Sequence, residues 1–312
     1  MAVERSEAEK SLMDQYALPW VEADEDDAYA GSDSLRPFGS KFAADRADAA
    51  KAVDPLVSGG RGEAAKALAE HWAGVETQFK NVSEAATAIV DGMHECGKIV
   101  ADTKNAVLDR VDNLRSSISH LSYGNLPRRI PYEDLVADEA EKARPGIQAE
   151  VDSATTRSDE HLKRVRNNEH VGSLKSIAGR PQGTGGSAGT GKRAGDSMHL
   201  ASAGGSPWGD LFHDYDEHKR AVKKLGEIAT HIRDTTSQPL AQAVLDTTEL
   251  GASGAVGASL AAGIHPLLDD LVLASRALAD HLTGPLSDAI KAAAKDQKER
   301  EDDIKGGFGW MR

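Results

Sequence analysis

The chain has 312 residues, with 50 acidic side chains against 37 Lys or Arg and a formal net charge of −13, a balance that disfavours nucleic acid as a partner. Aromatic residues make up only 4%, so the core must come from small and aliphatic side chains, which suits close-packed helices better than sheets. The single cysteine, Cys96, excludes an intramolecular disulfide and a cysteine-based metal cage.

In chain order, residues 1–38 read as an acidic N-terminal segment. Its start, MAVERSEAEKSLMDQ, lacks the apolar stretch of a secretory signal, so the expected location is the cytoplasm before any export. Residues 39–122 are expected to form a helical hairpin. FAADRADAAKAVDPLV (42–57) is a short amphipathic stretch, and SGGRG (58–62) is a turn carrying Gly59, Gly60 and Gly62. From Ala65 the positions Leu68, Trp72, Val75, Phe79, Val82, Ala86, Ile89, Met93, Cys96, Val100, Thr103 and Val107 alternate steps of three and four, which is a heptad seam. An extra four-residue step leads to Val111, and the seam continues through Leu114, Ile118 and Leu121, a stutter that locally unwinds the supercoil. The spacing predicts one amphipathic helix over 63–121, about 85–90 Å long.

Residues 123–206 change character. PYEDLVADEAEKA fits one polar helix, and from Lys163 to Arg193 the basic residues outnumber the lone acid, Glu169. Two readings follow, a basic tether between acidic domains or a site for anionic lipid; the scatter of the basic residues favours the tether, and membrane contact is not expected. Within GTGGSAGTGKRAGDS (183–197), Gly186, Gly191 and Lys192 have the spacing of a phosphate-binding loop, but Arg193 stands where Ser or Thr should hold magnesium. No apolar strand precedes the glycines, so the expectation is a Gly/Ser linker with no nucleotide.

Residues 207–305 are expected to form a second hairpin. Leu211, Tyr215, His218, Val222, Leu225, Ala229 and Ile232 carry another three-four seam that should end before Pro239. Ile264, Leu268, Leu271, Ser275, Leu278 and Leu282 carry its return toward Ile290. SGAVG (253–257), with Gly254 and Gly257, supplies the turn. The least polar run, GASGAVGASLAAGIHPLL (251–268), is too interrupted by Gly, Pro266 and the acids that follow to be read as a membrane span. Residues 306–312 form a tail in which Phe308 and Trp310 are either chain end or a short docking peptide.

Catalytic chemistry finds little support. HDYDEH holds His213, Asp214, Asp216, Glu217 and His218, but its histidines are five apart where a zinc helix needs four, so a solvated first helical turn is expected. His94 and Cys96 lie two apart and face different ways on a helix. No nucleophile elbow, carboxylate pair or cofactor fingerprint occurs. The expectation is an all-α, non-enzymatic protein of two antiparallel helical hairpins, without cofactor or metal. The shared order of Pro-Trp, seam and S-G-x-x-G turn in the two halves suggests a tandem duplication.

PWVEADED, followed by a helix, a Ser-Gly turn and a long helix beginning EAAKALAEHW, resembles the N-terminal helical domains of actinobacterial type VII (ESX) secreted proteins, members of the wider WXG group of helical hairpins. The resemblance covers about residues 17–121 and, more faintly, 206–300. Two features depart from it. Trp72-Ala73-Gly74 lies inside the seam and not at a turn, and the one Tyr-x-x-x-Asp of the kind such proteins carry as an export signal, Tyr29 to Asp33, precedes the expected hairpin. The resemblance implies a secretion substrate, or a subunit that packs hairpin on hairpin with a small helical partner or a second copy and meets the secretion machinery or a chaperone. The competing expectation is an intracellular coiled-coil scaffold.

Overall fold

The computed structural model describes residues 2–59, 63–123, 131–179 and 215–308, and all regular structure among the described residues is helical. Helices α1 (Glu7–Gln15), α2 (Glu25–Gly59), α3 (Glu63–Tyr123), α4 (Tyr132–Arg166) and α5 (Glu169–Ile177) precede the Gly/Ser stretch. Helix α6 (Tyr215–His231) runs through a π-helical turn (Ile232–Thr236) into α7 (Gln238–Ala252). Helix α8 (Gly254–His281) runs through a second π-helical turn (Leu282–Leu286) into α9 (Ser287–Phe308). Gly60, Gly62, the 183–197 stretch, Leu211, His213, Asp214 and residues 309–312 lie outside the described residues.

The chain divides into two compact units. Unit 1 comprises Met1–Pro37, Ala86–Val171 and Pro239–Asp269, and unit 2 comprises Phe38–Ala85, Gly172–Gln238 and Asp270–Arg312. Each unit therefore draws on both expected hairpins, so the compact units do not divide at the Gly/Ser stretch. Helices as long as α2, α3 and α8 can give one part of their apolar stripe to each unit.

In unit 1, α1 starts with a reciprocal cap in which the Ser6 N–H donates to Glu9 Oε2 (2.6 Å) and the Glu9 N–H donates to Ser6 Oγ (3.3 Å). The helix ends with the Leu18 N–H on the Met13 carbonyl (2.9 Å) and Ala17 at φ 47°, a left-handed position where glycine is usual. This turn drops Met13 and Leu18 into a cluster with Val107, Val111 and Leu114 of α3 and Ala140 and Ile147 of α4. In unit 2, Phe38 and Phe42 of α2 stack at 5.3 Å between centroids, and Phe42 meets Phe79 of α3 at 4.9 Å.

Several expectations are corrected. Residues 1–38 are not a separate segment, because α2 begins at Glu25. The Asp26 N–H donates to the Asp24 side chain (2.9 Å) there, and three acids in the first turn suit the helix dipole. Pro37 removes one helical hydrogen bond without ending α2, since Leu35, Phe38 and Phe42 around it are fully buried. The polar helix read in 123–206 is 35 residues long and packs into unit 1 through Val136, Ala140, Ile147, Ala154, Ser158, Leu162 and Val165. Small residues on that stripe keep its apolar signal weak. The helix expected to stop before Pro239 goes on, because the preceding π turn leaves the proline in the first turn of α7, where an N–H has no helical partner. The tail expected over 306–312 is helical through Phe308.

Candidate interaction site along the helix seams

The fourteen seam positions Leu68, Trp72, Val75, Phe79, Val82, Ile89, Met93, Val100, Val107, Leu225, Ile232, Leu268, Leu271 and Leu278 are all buried, none more than 4% exposed. They are covered by other helices of the same chain. Of the turn residues, Gly59 closes α2, Gly254 opens α8 at φ 74°, and Gly257 lies within α8. Trp72-Ala73-Gly74 sits inside an unbroken α3, with the Trp72 ring buried and open space at Gly74.

In unit 1, Tyr29 of α2 packs over Gly97 and against His94 of α3, with ring centroids 4.9 Å apart. Burial raises its phenol pKa, helped by nearby carboxylates, chiefly Glu25. Asp33, four residues on, is exposed, so Tyr29-x-x-x-Asp33 is a helical pair with one member packed and the other in solvent. A buried ion pair joins the start of α2 to α3, with Lys104 Nζ 2.5 Å from Glu25 Oε2 and side chains 6% and 1% exposed. The Val3 N–H donates to the other oxygen of Glu25, and Trp20 receives the Arg5 guanidinium at 5.1 Å and Lys104 at 5.9 Å. The first residues of the chain are thus fixed by a charge pair that must stay matched.

In unit 2 the two π turns share one construction. Ser237 Oγ donates to the Ile232 carbonyl (2.7 Å), and Ser287 Oγ donates to the Leu282 carbonyl (2.7 Å), each five residues back. The widened turn relieves the clash that Pro285 would make in an α-helix. A histidine stands immediately before each turn. His231 Nδ1 lies 2.7 Å from Asp45 Oδ1 of α2, whose second oxygen accepts from Thr236 Oγ1 (2.6 Å). His281 Nε2 lies 2.7 Å from His71 Nε2 of α3. Burial lowers the pKa of His71, while burial and then the His71 ring lower that of His281. Alongside, Arg233 Nη2 meets Asp280 Oδ1 at 2.5 Å.

Sequence reasoning did not single out His71, His231, His281, Asp45 or Thr236. Their partners lie between 186 and 210 residues away, and the only local sign was a His followed within eight residues by proline. Of the HDYDEH motif, Asp216 is exposed and Glu217 partly so, but His218 is buried, 6% exposed, and it lines a cavity of about 250 Å³ with Lys219, Val222, Lys223, Ile290, Lys291 and Ala294. Cys96 is fully buried and its thiol pKa is pushed up to about 12, chiefly by burial, which makes it a core residue and an unreactive one. No group of three or more metal-capable side chains occurs among the described residues. One stretch, Gly254–Glu299, is long and apolar enough to cross a membrane, but 56% of its most apolar window is buried inside the chain. Comparison with protein families, with characterised proteins and with solved structures gives no match.

Proposed function

We propose that the chain is a non-enzymatic substrate of a type VII secretion system whose two helical hairpins pack on each other within one polypeptide. The observation that carries this reading is that each unit packs together helices drawn from both halves of the chain. In unit 1, Tyr29 meets His94 and Ser32 Oγ donates to the Val90 carbonyl (3.2 Å), while in unit 2 Phe42 meets Phe79, so α2 descends as α3 ascends. In the second half, Gly251 approaches Ala261 in unit 1 and Arg233 meets Asp280 in unit 2. Hairpin meets hairpin through Ser34 Oγ on Asp246 Oδ2 (2.6 Å) in unit 1 and through His231 on Asp45 in unit 2.

This arrangement supports the resemblance to the WXG group with one change. Where such proteins pack one hairpin on a partner's, this chain supplies both, so its seams need no second protein. The same burial weighs against the scaffold reading, since a self-associating coiled coil needs an apolar stripe to offer. Among the described residues the one large hydrophobic side chain that is well exposed is Leu245, at 59%. Recognition by export machinery then falls to surface features, with the exposed Asp33 of Tyr29-x-x-x-Asp33 as the candidate. In the native host, the chain should accumulate in culture supernatant, fall to background when the secretion ATPase is deleted, and sediment as a monomer when purified. Retention in the cells of both strains, or an elongated homo-oligomer, would sink the proposal.

A further inference from the structure

The imidazoles of His71 and His281 meet between α3 and α8 of unit 2 in a way that one proton can satisfy and two cannot. Their centroids are 5.0 Å apart and their Nε2 atoms 2.7 Å apart, so the centroid separation is little more than the contact plus the two ring radii, and the nitrogens point at each other end-on. A metal between collinear nitrogens would hold them about 4 Å apart, so this is a hydrogen-bond geometry and not a chelate. One ring must donate Nε2–H and the other must accept with its Nε2 lone pair.

We propose that this pair is an acid-released clasp, which holds α3 to α8 while either ring is neutral and lets go when both are protonated. The first added proton can enter at the donor ring's outer nitrogen, Nδ1, and leaves the Nε2–H···Nε2 bond in place with a charge to strengthen it. The second must occupy the accepting Nε2. That removes the lone pair and sets two imidazolium N–H groups head to head at 2.7 Å.

Among the described residues no carboxylate acts on either ring to offset that second charge. Burial is the influence on His71, and burial and His71 are the influences on His281. Of the carboxylates close in sequence to the two rings, Asp280 pairs with Arg233, Asp288 pairs with Lys291 (3.0 Å) and Glu70 of α3 is exposed, while Asp45 of α2 holds His231 and Thr236. The sign follows from linkage. A histidine whose folded pKa lies below its unfolded value of about 6.5 leaves stability intact above that pH and removes it as pH falls below. Release would loosen the seam on either side, where Leu68, Trp72 and Val75 of α3, Leu278 of α8 and Leu282 of the π turn that follows it are buried.

Amide hydrogen exchange of the intact chain, corrected for intrinsic rates, tests the clasp independently of any role in secretion. Between pH 7.5 and pH 5.0, peptides covering 64–78 and 274–288 should lose protection on the order of tenfold, while peptides covering 86–100 in unit 1 hold theirs. In His71→Gln and in His281→Gln the remaining imidazole can still donate to a neutral side-chain carbonyl when protonated, so the acid response there should shrink to the part that burial of one ring leaves. Unchanged protection of the two peptides in the unaltered chain would overturn the proposal. So would an undiminished acid response in either substitution that folds.

Discussion

At the scale of single residues the seam makes a sharp distinction between neighbours two positions apart on α3. Trp72 is 4% exposed inside unit 2, whereas Glu70 is exposed. Removing the indole takes away its burial and leaves a cavity that the surrounding helices can only partly close, so Trp72→Ala should destabilise by about 3–5 kcal/mol. Glu70→Ala, with no packed partner to lose, should stay within about 0.5 kcal/mol. Urea unfolding of the two variants checks the register, and equal small losses would show that Trp72 carries no packing. The residues that the sequence hid are of another kind. Asp45, His71 and His281 are ordinary polar side chains in helical stretches, and what makes them notable is a partner brought up by tertiary packing.

At the scale of elements, long regular patterns were legible and interruptions were not. The seam over 63–121 could be read directly because its three-four steps persist for many turns, and α3 spans Glu63–Tyr123. Helix α4 could be read only at its start, since Ala140, Ala154 and Ser158 on its buried stripe look polar or neutral in sequence while filling the space between close-packed helices. One proline misled for a related reason. Pro239 suggested a helix end, yet the wide turn sealed by Ser237 carries the chain past it, and Ser287 seals the like turn at Pro285, while Pro37 and Pro145 lie inside α2 and α4. The turn between α7 and α8 was legible through its glycines, and its geometry shows why both are needed. Gly254 takes φ 74°, and a Cβ on Gly257 would fall 2.2 Å from the Leu250 carbonyl oxygen, a backbone atom that cannot swing aside. Gly257→Ala should therefore force α8 away from the end of α7 and cost about 1–3 kcal/mol. Ala258→Gly, one position on and at an exposed site, should cost about 1 kcal/mol or less through helix propensity alone. A thermal shift for Gly257→Ala no larger than that for Ala258→Gly would show that the close approach is not present in solution.

At the scale of the whole molecule, the two compact units do not correspond to the two halves of the chain. Each unit is assembled from segments lying before residue 180 and after residue 214, with contacts such as Ser34–Asp246 and Arg166–Gly263 in unit 1 and Asp45–Thr236 and His71–His281 in unit 2. The covalent connection between the two halves raises the effective concentration of one half for the other. A site-specific protease sequence inserted between Gly195 and Asp196 tests this. After complete cleavage the two pieces should co-elute as one species in size-exclusion chromatography under native conditions and part only in denaturant, because each piece alone leaves apolar seams uncovered in both units. Their apparent stability should also become concentration-dependent, since unfolding then releases two molecules instead of one. If the chain were two independent hairpin modules on a tether, the pieces would elute separately as folded helical species, and their melting would not depend on concentration. That outcome would return the architecture to two domains divided at the Gly/Ser stretch, and would leave the paired contacts of both units without a role in solution.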